Sequence, residues 1–324
     1  MDEMAIRTRL TELFDLEYPI VLAPMAGVSG GQLAAAVSNA GGLGLVGGGY
    51  GDPAWLRAQL EIVRRETDRP WGVGFIIWHA EPDAVELALS YRPDVVFLSF
   101  GDPRRYAEQV KAAGALLICQ VQEVAAARDA VAAGADIVVA QGTEAGGHGA
   151  QRATLPLVPA VVDAVDPAPV LAAGGIADGR GLAAALMLGA AGAVVGTRFL
   201  VSQESLLPSA AKALLCAAGA GDTVRTRVFD MVRDYQWPDA FTGRALRNPY
   251  LERWHGNEAE LGAVLADEQA RYARAVAEED FETGAVFVGE GIDLVRDVVG
   301  AGELVRRMGG EAESRLRRGS AFVG

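Results

Sequence analysis

The chain has 324 residues, 51% of them hydrophobic and 22% charged, which is too long for a small stapled module and too apolar for a disordered segment. Its 42 acidic side chains against 29 basic ones leave a net charge of −13, a field that repels phosphate backbones and anionic lipid, so neither nucleic acid nor a membrane is an expected partner. Two cysteines, Cys119 and Cys216, stand without any CxxC or Cys/His spacing, which excludes a disulfide scaffold and a structural zinc site.

The acidic start, Met1 to Met4, lacks the basic opening of a secretory signal, and a cytoplasmic location is the expectation. Residues 18–51 carry no charge, but ten glycines together with Pro24 and Asn39 do not make a lipid-facing helix. Eight short aliphatic runs then recur: 20–25, 43–48, 71–77, 94–100, 115–121, 136–141, 169–174 and 192–197. They start 21 to 33 residues apart, the length of one strand, one crossover helix and two loops. The runs are continuously apolar, as strands buried on both faces are. Gly41, Gly114 and Gly134 end the Ala-rich stretches between runs, where glycine supplies a left-handed helix stop. Eight such units predict a (β/α)8 TIM barrel over residues 1–205. Beyond it, richer charge and aromatics predict a helical subdomain over 206–284 that covers the mouth. Residues 285–324 are expected to return to the barrel as a closing amphipathic helix.

A barrel of this kind places its chemistry at the carboxyl ends of its strands. Glycine dominates those ends here. Gly174-Gly175 after the seventh run and Gly196-Thr197 after the eighth put unhindered N–H groups where phosphate-binding barrels hold an anion, and a short helix starting after Thr197 would add its dipole. Of three histidines, His148 ends a glycine-rich loop after the sixth run and suits base or electrostatic work, while His79 at a strand end and His255 fit rim and surface roles. Glu144, four residues earlier, either orients His148 or accepts N–H groups in its own loop. No carboxylate or histidine cluster has metal-ligand spacing at this face, no G-x-S-x-G elbow occurs, and Cys119 sits inside a strand as core. A phosphate cradle, a glycine-lined mouth and one histidine leave the hard chemistry to a cofactor. FMN fits, with its phosphate between the seventh and eighth strands and its ring crossing the mouth over Met25 to Gly27.

Three segments carry a family resemblance: residues 19–27 with 39–44, residues 141–149 containing Gly-Thr-Glu-Ala-Gly-Gly-His-Gly, and residues 173–181 with 196–199. They resemble the nitronate monooxygenases, formerly 2-nitropropane dioxygenases, through most of the chain. The resemblance implies non-covalent FMN on a TIM barrel, with the loop histidine falling on His148. It also implies that an alkyl nitronate gives an electron to the flavin, which then meets O2 and yields a carbonyl compound and nitrite without NAD(P)H. By position, Met25, Ala26 and Gly27 would contact the ring, Gln120 its polar edge, and Gly174, Gly175, Gly196 and Thr197 the phosphate. Pro24, Gln141, Gly146, Gly147 and Ala173 complete the implied cofactor surroundings. The implied partners are a nitronate and O2, with a homodimer left open.

Two positions depart from the family pattern. Gly74 stands where relatives often carry Asn, removing one side-chain contact to the flavin, and Glu290 stands where an amide is usual, next to an anionic substrate. Two further readings remain open: an NAD(P)H-dependent flavin reductase resembling enoyl-acyl-carrier-protein or NADH:quinone reductases, and a non-enzymatic barrel that binds a phosphoryl ligand. An IMP dehydrogenase-like chemistry is excluded because the loop after the sixth strand holds no cysteine.

Overall fold

The computed structural model describes residues 6–322, so the acidic start Met1 to Met4 lies outside the described residues. The eight apolar runs form eight parallel strands: β1 (Ile20–Leu22), β2 (Gly44–Gly49), β3 (Trp71–Ile76), β4 (Val95–Ser99), β5 (Leu116–Val121), β6 (Ile137–Gln141) and, after a short β7 (Gly147–Gly149) outside the barrel, β8 (Val170–Ala173) and β9 (Gly192–Val195). Each strand pairs in parallel with its neighbour, and β1 pairs with β9 through Ile20 opposite Ala193. A bridge between Val21 and Leu43, with the Leu22 N–H donating to the Leu43 carbonyl at 2.9 Å, joins β1 to the start of β2 and closes the TIM barrel.

Side-chain alternation builds two cores from the same strands. Val138 and Ala140 of β6 face the surrounding helices, while Ile137 and Val139 point into the barrel beside Val95, Phe97, Ile118, Leu171 and Val194. The interior is plugged at its lower end by Leu10 and Phe14 of the helix Arg9–Phe14 and by Leu16. On β5, Cys119 faces outward with Leu117 and Val121, and burial pushes its thiol up to about 12, so it is core and inert as a nucleophile.

The same alternation accounts for Gly74. Its neighbours Val73 and Phe75 face the helices, so position 74 faces the interior. A Cβ there would lie 2.3 Å from Cβ of Pro24. The space used by an inward side chain is therefore occupied by the Pro24 ring, and the departure at 74 is a packing exchange across the mouth.

The segment after β9 carries helices at Ser209–Ala217, Val228–Val232, Pro249–Trp254, Glu258–Ala263 and Leu265–Ala277. It also carries two strands that the helical reading missed, β10 (Thr223–Thr226) and β11 (Thr242–Leu246), which form an antiparallel sheet with β7 in the order β10-β11-β7. Residues 223–232 divide between strand and helix because β11 pairs on one edge with β10 and on the other with the glycine-rich loop, Gly243 opposite His148. A helix over the first half of that run would forfeit this ladder. The helix Ala301–Arg318 packs against the helices Gly179–Met187 and Gly31–Asn39, burying Leu304, Val305 and Met308, and so returns to the barrel wall.

Candidate functional site

The topmost inward positions of the barrel are small or polar, in contrast to the aliphatic layers below. Following the alternation, they are Ala23, Gly47, Gly74, Ser99, Gln120, Gln141, Ala173 and Gly196. A flat ring can therefore lie on them without meeting a branched side chain. Beside this floor, Ser29 Oγ accepts from the Met25 N–H at 2.6 Å and pins the 24–27 turn, in which Ala26 and Gly27 are exposed and Gly27 has φ +71°. A cleft of about 300 Å3 reaches from Phe100, Gln120, Gln122 and Phe241 outward past Cys119 to Arg104, Ala126 and Asp129 of the flanking helices.

On the opposite side a cleft of about 470 Å3 opens at Gly174, Gly175, Glu144 and Gly291. Gly174 and Gly175 hold φ +106° and +72°, a backbone that L side chains rarely adopt. The N–H groups of Gly174, Gly175, Ile176, Gly196 and Thr197 have no hydrogen-bond partner among the described residues. Gly175 is exposed and Gly174, Gly196 and Thr197 half-buried, so these donors are reachable. A short helix, Thr197–Leu200, does start at Thr197. Such converging main-chain donors fit the phosphate of a flavin nucleotide. The cradle is held by its neighbours: Thr197 Oγ1 accepts from the Gly289 N–H at 2.9 Å, and the Glu144 carbonyl accepts from the Glu290 N–H at 2.9 Å. A Cβ on Gly146 would lie 2.6 Å from the Gly289 nitrogen, so that glycine is needed for the loops to touch.

Glu144 does not orient His148. Its carboxylate accepts from the Thr154 N–H and Oγ1 at 2.9 and 2.7 Å and caps the helix Thr154–Val165. The glycine-rich loop is also not loose, contrary to its composition. β7 makes it a strand, and Arg225 donates to the carbonyls of Thr143, Gly149 and Thr242. Burial brings that guanidinium down to about 10, which leaves it charged at neutral pH. Arg244 donates to the Thr143 carbonyl and pairs with Glu290 at 2.8 Å, so the carboxylate at 290 is neutralised rather than turned on a substrate.

His148 is 8% exposed, and its Nε2 lies 2.8 Å from Oδ1 of Asp230. An ionised carboxylate only accepts, so Nε2 carries the hydrogen and the neutral ring keeps its lone pair on Nδ1, which has no hydrogen-bond partner among the described residues. Burial pushes the His148 pKa down against the upward pull of Asp230, so the ring is neutral at pH 7 and able to take a proton. Trp237 stacks on the imidazole at 3.5 Å between centroids and 4° between planes. Phe287 and Phe100 lie 5.7 and 6.5 Å away. Below it, Gln141 donates to the His148 carbonyl at 3.1 Å, and Gln122 donates to Gln141 at 2.8 Å.

Met25, Ala26, Gly27, Gln120, Gln141, Ala173, Gly196 and His148 thus come together at one mouth, with Gly174, Gly175 and Thr197 at its rim. Asp230, Gln122 and Trp237 complete the arrangement. Gln122 follows Gln120 at period two and was legible on that ground. Trp237 is buried and stacked on the histidine. Asp230 had no sequence signal, being an acidic residue on an amphipathic turn 82 positions from its partner. His79 holds the rim by donating its Nδ1–H to the Tyr50 carbonyl at 3.0 Å, and His255 is exposed. Asp230→Asn removes the charge that favours the imidazolium. The acidic limb of a kcat/KM profile on a neutral carbon acid should move to lower pH, and the rate above it should fall roughly tenfold to a hundredfold. An unmoved limb would detach Asp230 from the histidine's titration.

Known proteins resemble the chain along most of its length. The family model described as nitronate monooxygenase matches residues 7–84 and 76–310. The chain is 38% identical to a (3aS,4S,5R,7aS)-5-hydroxy-7a-methyl-1-oxo-octahydro-1H-indene-4-carboxyl-CoA dehydrogenase of Mycobacterium tuberculosis, over 81% of this chain and 72% of that one. It is 32% identical to a nitronate monooxygenase of Neurospora crassa, over 94% of this chain and 91% of that one. The solved structure of FabK from Thermotoga maritima superposes with a TM-score of 0.88 at 34% identity, covering 98% of this chain and 100% of that one.

Proposed function

Since the chain belongs to the nitronate monooxygenase family and is a flavin-dependent oxidoreductase, we propose that it binds FMN and oxidises alkyl nitronates with O2 to a carbonyl compound and nitrite. The observation that carries the reading is a single buried imidazole, neutral and tautomerically fixed by Asp230, beside a flat floor and a cradle of free main-chain N–H groups. When bound, the flavin supplies the redox partner between an organic donor and O2.

The chain's own residues supply everything around that exchange. The N–H groups of Gly174, Gly175, Gly196 and Thr197 would hold the phosphate, and Met25 to Gly27 with Gln120 would border the ring. His148 Nδ1 accepts the proton of a neutral nitroalkane, and Asp230 stabilises the imidazolium that results. Trp237, Phe100 and Phe287 keep water from the imidazole, which strengthens both interactions.

The test is the visible spectrum of the purified protein under anaerobic conditions. Propionate 3-nitronate should bleach the flavin, and NADH or NADPH should not. Bleaching by a nicotinamide without bleaching by the nitronate would move the chain to the reductase class, a reading that the 38% identity to a CoA-ester dehydrogenase keeps in view. Protein that stays colourless after reconstitution with FMN would remove the enzyme reading altogether.

A further inference from the structure

The chain's buried arginines are otherwise occupied: Arg198 pairs with Asp297 at 2.5 Å, Arg244 with Glu290 at 2.8 Å, and Arg225 donates to loop carbonyls. Arg233 differs from these. Half-buried at the end of the helix Val228–Val232, its side chain has no ion pair and no hydrogen bond among the described residues, although the chain has 42 acidic side chains to offer. Its guanidinium instead packs over three rings, 4.7 Å from the centroid of Tyr235, 5.3 Å from Phe287 and 5.7 Å from Tyr50.

Those rings belong to the mouth. Phe287 borders both Arg233 and His148, 5.7 Å from the imidazole, and Tyr50 stacks on Tyr235 at 4.0 Å and accepts from the Trp237 indole N–H at 3.2 Å. Arg233 stands three residues beyond Asp230, one helical turn from the carboxylate that holds His148, and its charge contributes to keeping that imidazole neutral. Asp230 is not its partner: Oδ1 is held by His148, and the buried Oδ2 has no hydrogen-bond partner among the described residues, Arg233 included.

Aromatic faces hold a guanidinium by its plane and leave the edge, with its fork of N–H donors, unengaged. That fork matches two oxygens on one planar centre, as in a carboxylate or a nitronate. We propose that Arg233 is the receptor for the nitronate oxygens, a specificity-determining residue that draws an anionic substrate into the mouth of an acidic protein and sets it beside His148. The assignment rests on the nitronate reading of the site and names the group that recognises the substrate's charge. A local cation of this kind is what a chain of net charge −13 needs to admit an anion.

The experiment uses flavin-loaded protein and two probes. The first is the concentration dependence of anaerobic flavin reduction by propionate 3-nitronate. The second is binding of nitrate, a planar anion that cannot react, followed by perturbation of the flavin spectrum and of tryptophan fluorescence. Arg233→Met should raise the half-saturating concentration for both anions about 10- to 100-fold, with the loss falling on half-saturation rather than on the limiting rate. A neutral nitroalkane should lose far less, and Arg233→Lys, which keeps charge without the fork, should fall between. Equal affinity of wild type and Arg233→Met for both anions overturns the proposal, as does wild-type protein that binds no nitrate. If nitronate fails to reduce the wild-type flavin, the proposed function fails alone, and the nitrate titration still decides for or against Arg233. A melting curve and flavin content matching wild type show that Arg233→Met is folded; if it is not, Arg233→Lys is held to the same criterion.

Discussion

Replacing His148 with alanine is expected to lower turnover of a neutral nitroalkane by about 10²- to 10⁴-fold, the usual worth of a positioned base, while flavin stays bound. The expectation follows from geometry before titration. Nδ1 is the ring's available lone pair, Nε2–H is committed to Asp230 at 2.8 Å, and Trp237 fixes the ring plane. Loss should be smaller with the preformed nitronate, which needs no proton removed. Alanine also leaves the buried Asp230 carboxylate without its donor, a cost in stability of about 3 kcal/mol or more. His148→Gln separates the effects, since an amide N–H can still serve Asp230 but cannot act as a base. Kinetics of both variants unchanged on the neutral substrate would make the histidine structural.

The pH dependence has a definite sign. Burial lowers the folded His148 pKa below its unfolded value, so on acidification the unfolded chain takes up this proton first. The group costs no stability above the unfolded pKa of about 6.5 and destabilises the fold progressively below it. His148→Gln should therefore be less sensitive than wild type to acid between that pH and the folded pKa, as read from melting temperature against pH.

Gly175→Val should leave a protein that folds but retains little flavin. The position has φ +72°, where a β-branched residue is strained by about 1–3 kcal/mol, and its Cβ would lie 3.4 Å from that of Glu144. The larger consequence concerns the ligand. Relief of the strain turns the 175 N–H out of the cradle, and a side chain stands where an anion must approach. Losing one or two hydrogen bonds to a charged group weakens retention by roughly 10- to 10³-fold. Flavin absorbance after gel filtration measures it, with circular dichroism to confirm the barrel. A fully loaded variant would move the phosphate away from Gly175, and the chain would have to hold it through other donors.

These two positions also show how unevenly the site was written in the chain. Gly175 was legible because glycines at the ends of the seventh and eighth apolar runs have a local meaning: backbone conformation and access depend on the residue itself. His148 was legible as a scarce residue in a glycine-rich loop, but its environment was not. Nothing in the loop's glycine composition shows that pairing of β7 with β11 and the donors of Arg225 make it a buried edge of a sheet. The arrival of β11 depends on a segment some hundred residues away, beyond any local pattern.

Sequence alone determined the barrel, because apolar runs at strand length, glycine stops and unit spacing are local and repeated. The glycine-lined strand ends and the loop histidine were legible for the same reason. Only the tertiary structure decided what surrounds them: that Pro24 fills the place of a side chain at 74, that Arg244 silences Glu290, that Asp230 fixes the tautomer of His148, and that Arg233 is left without a carboxylate. Each of these is a relation between charges or volumes that meet through folding, and interaction energy depends on distance in space, of which separation along the chain carries no record.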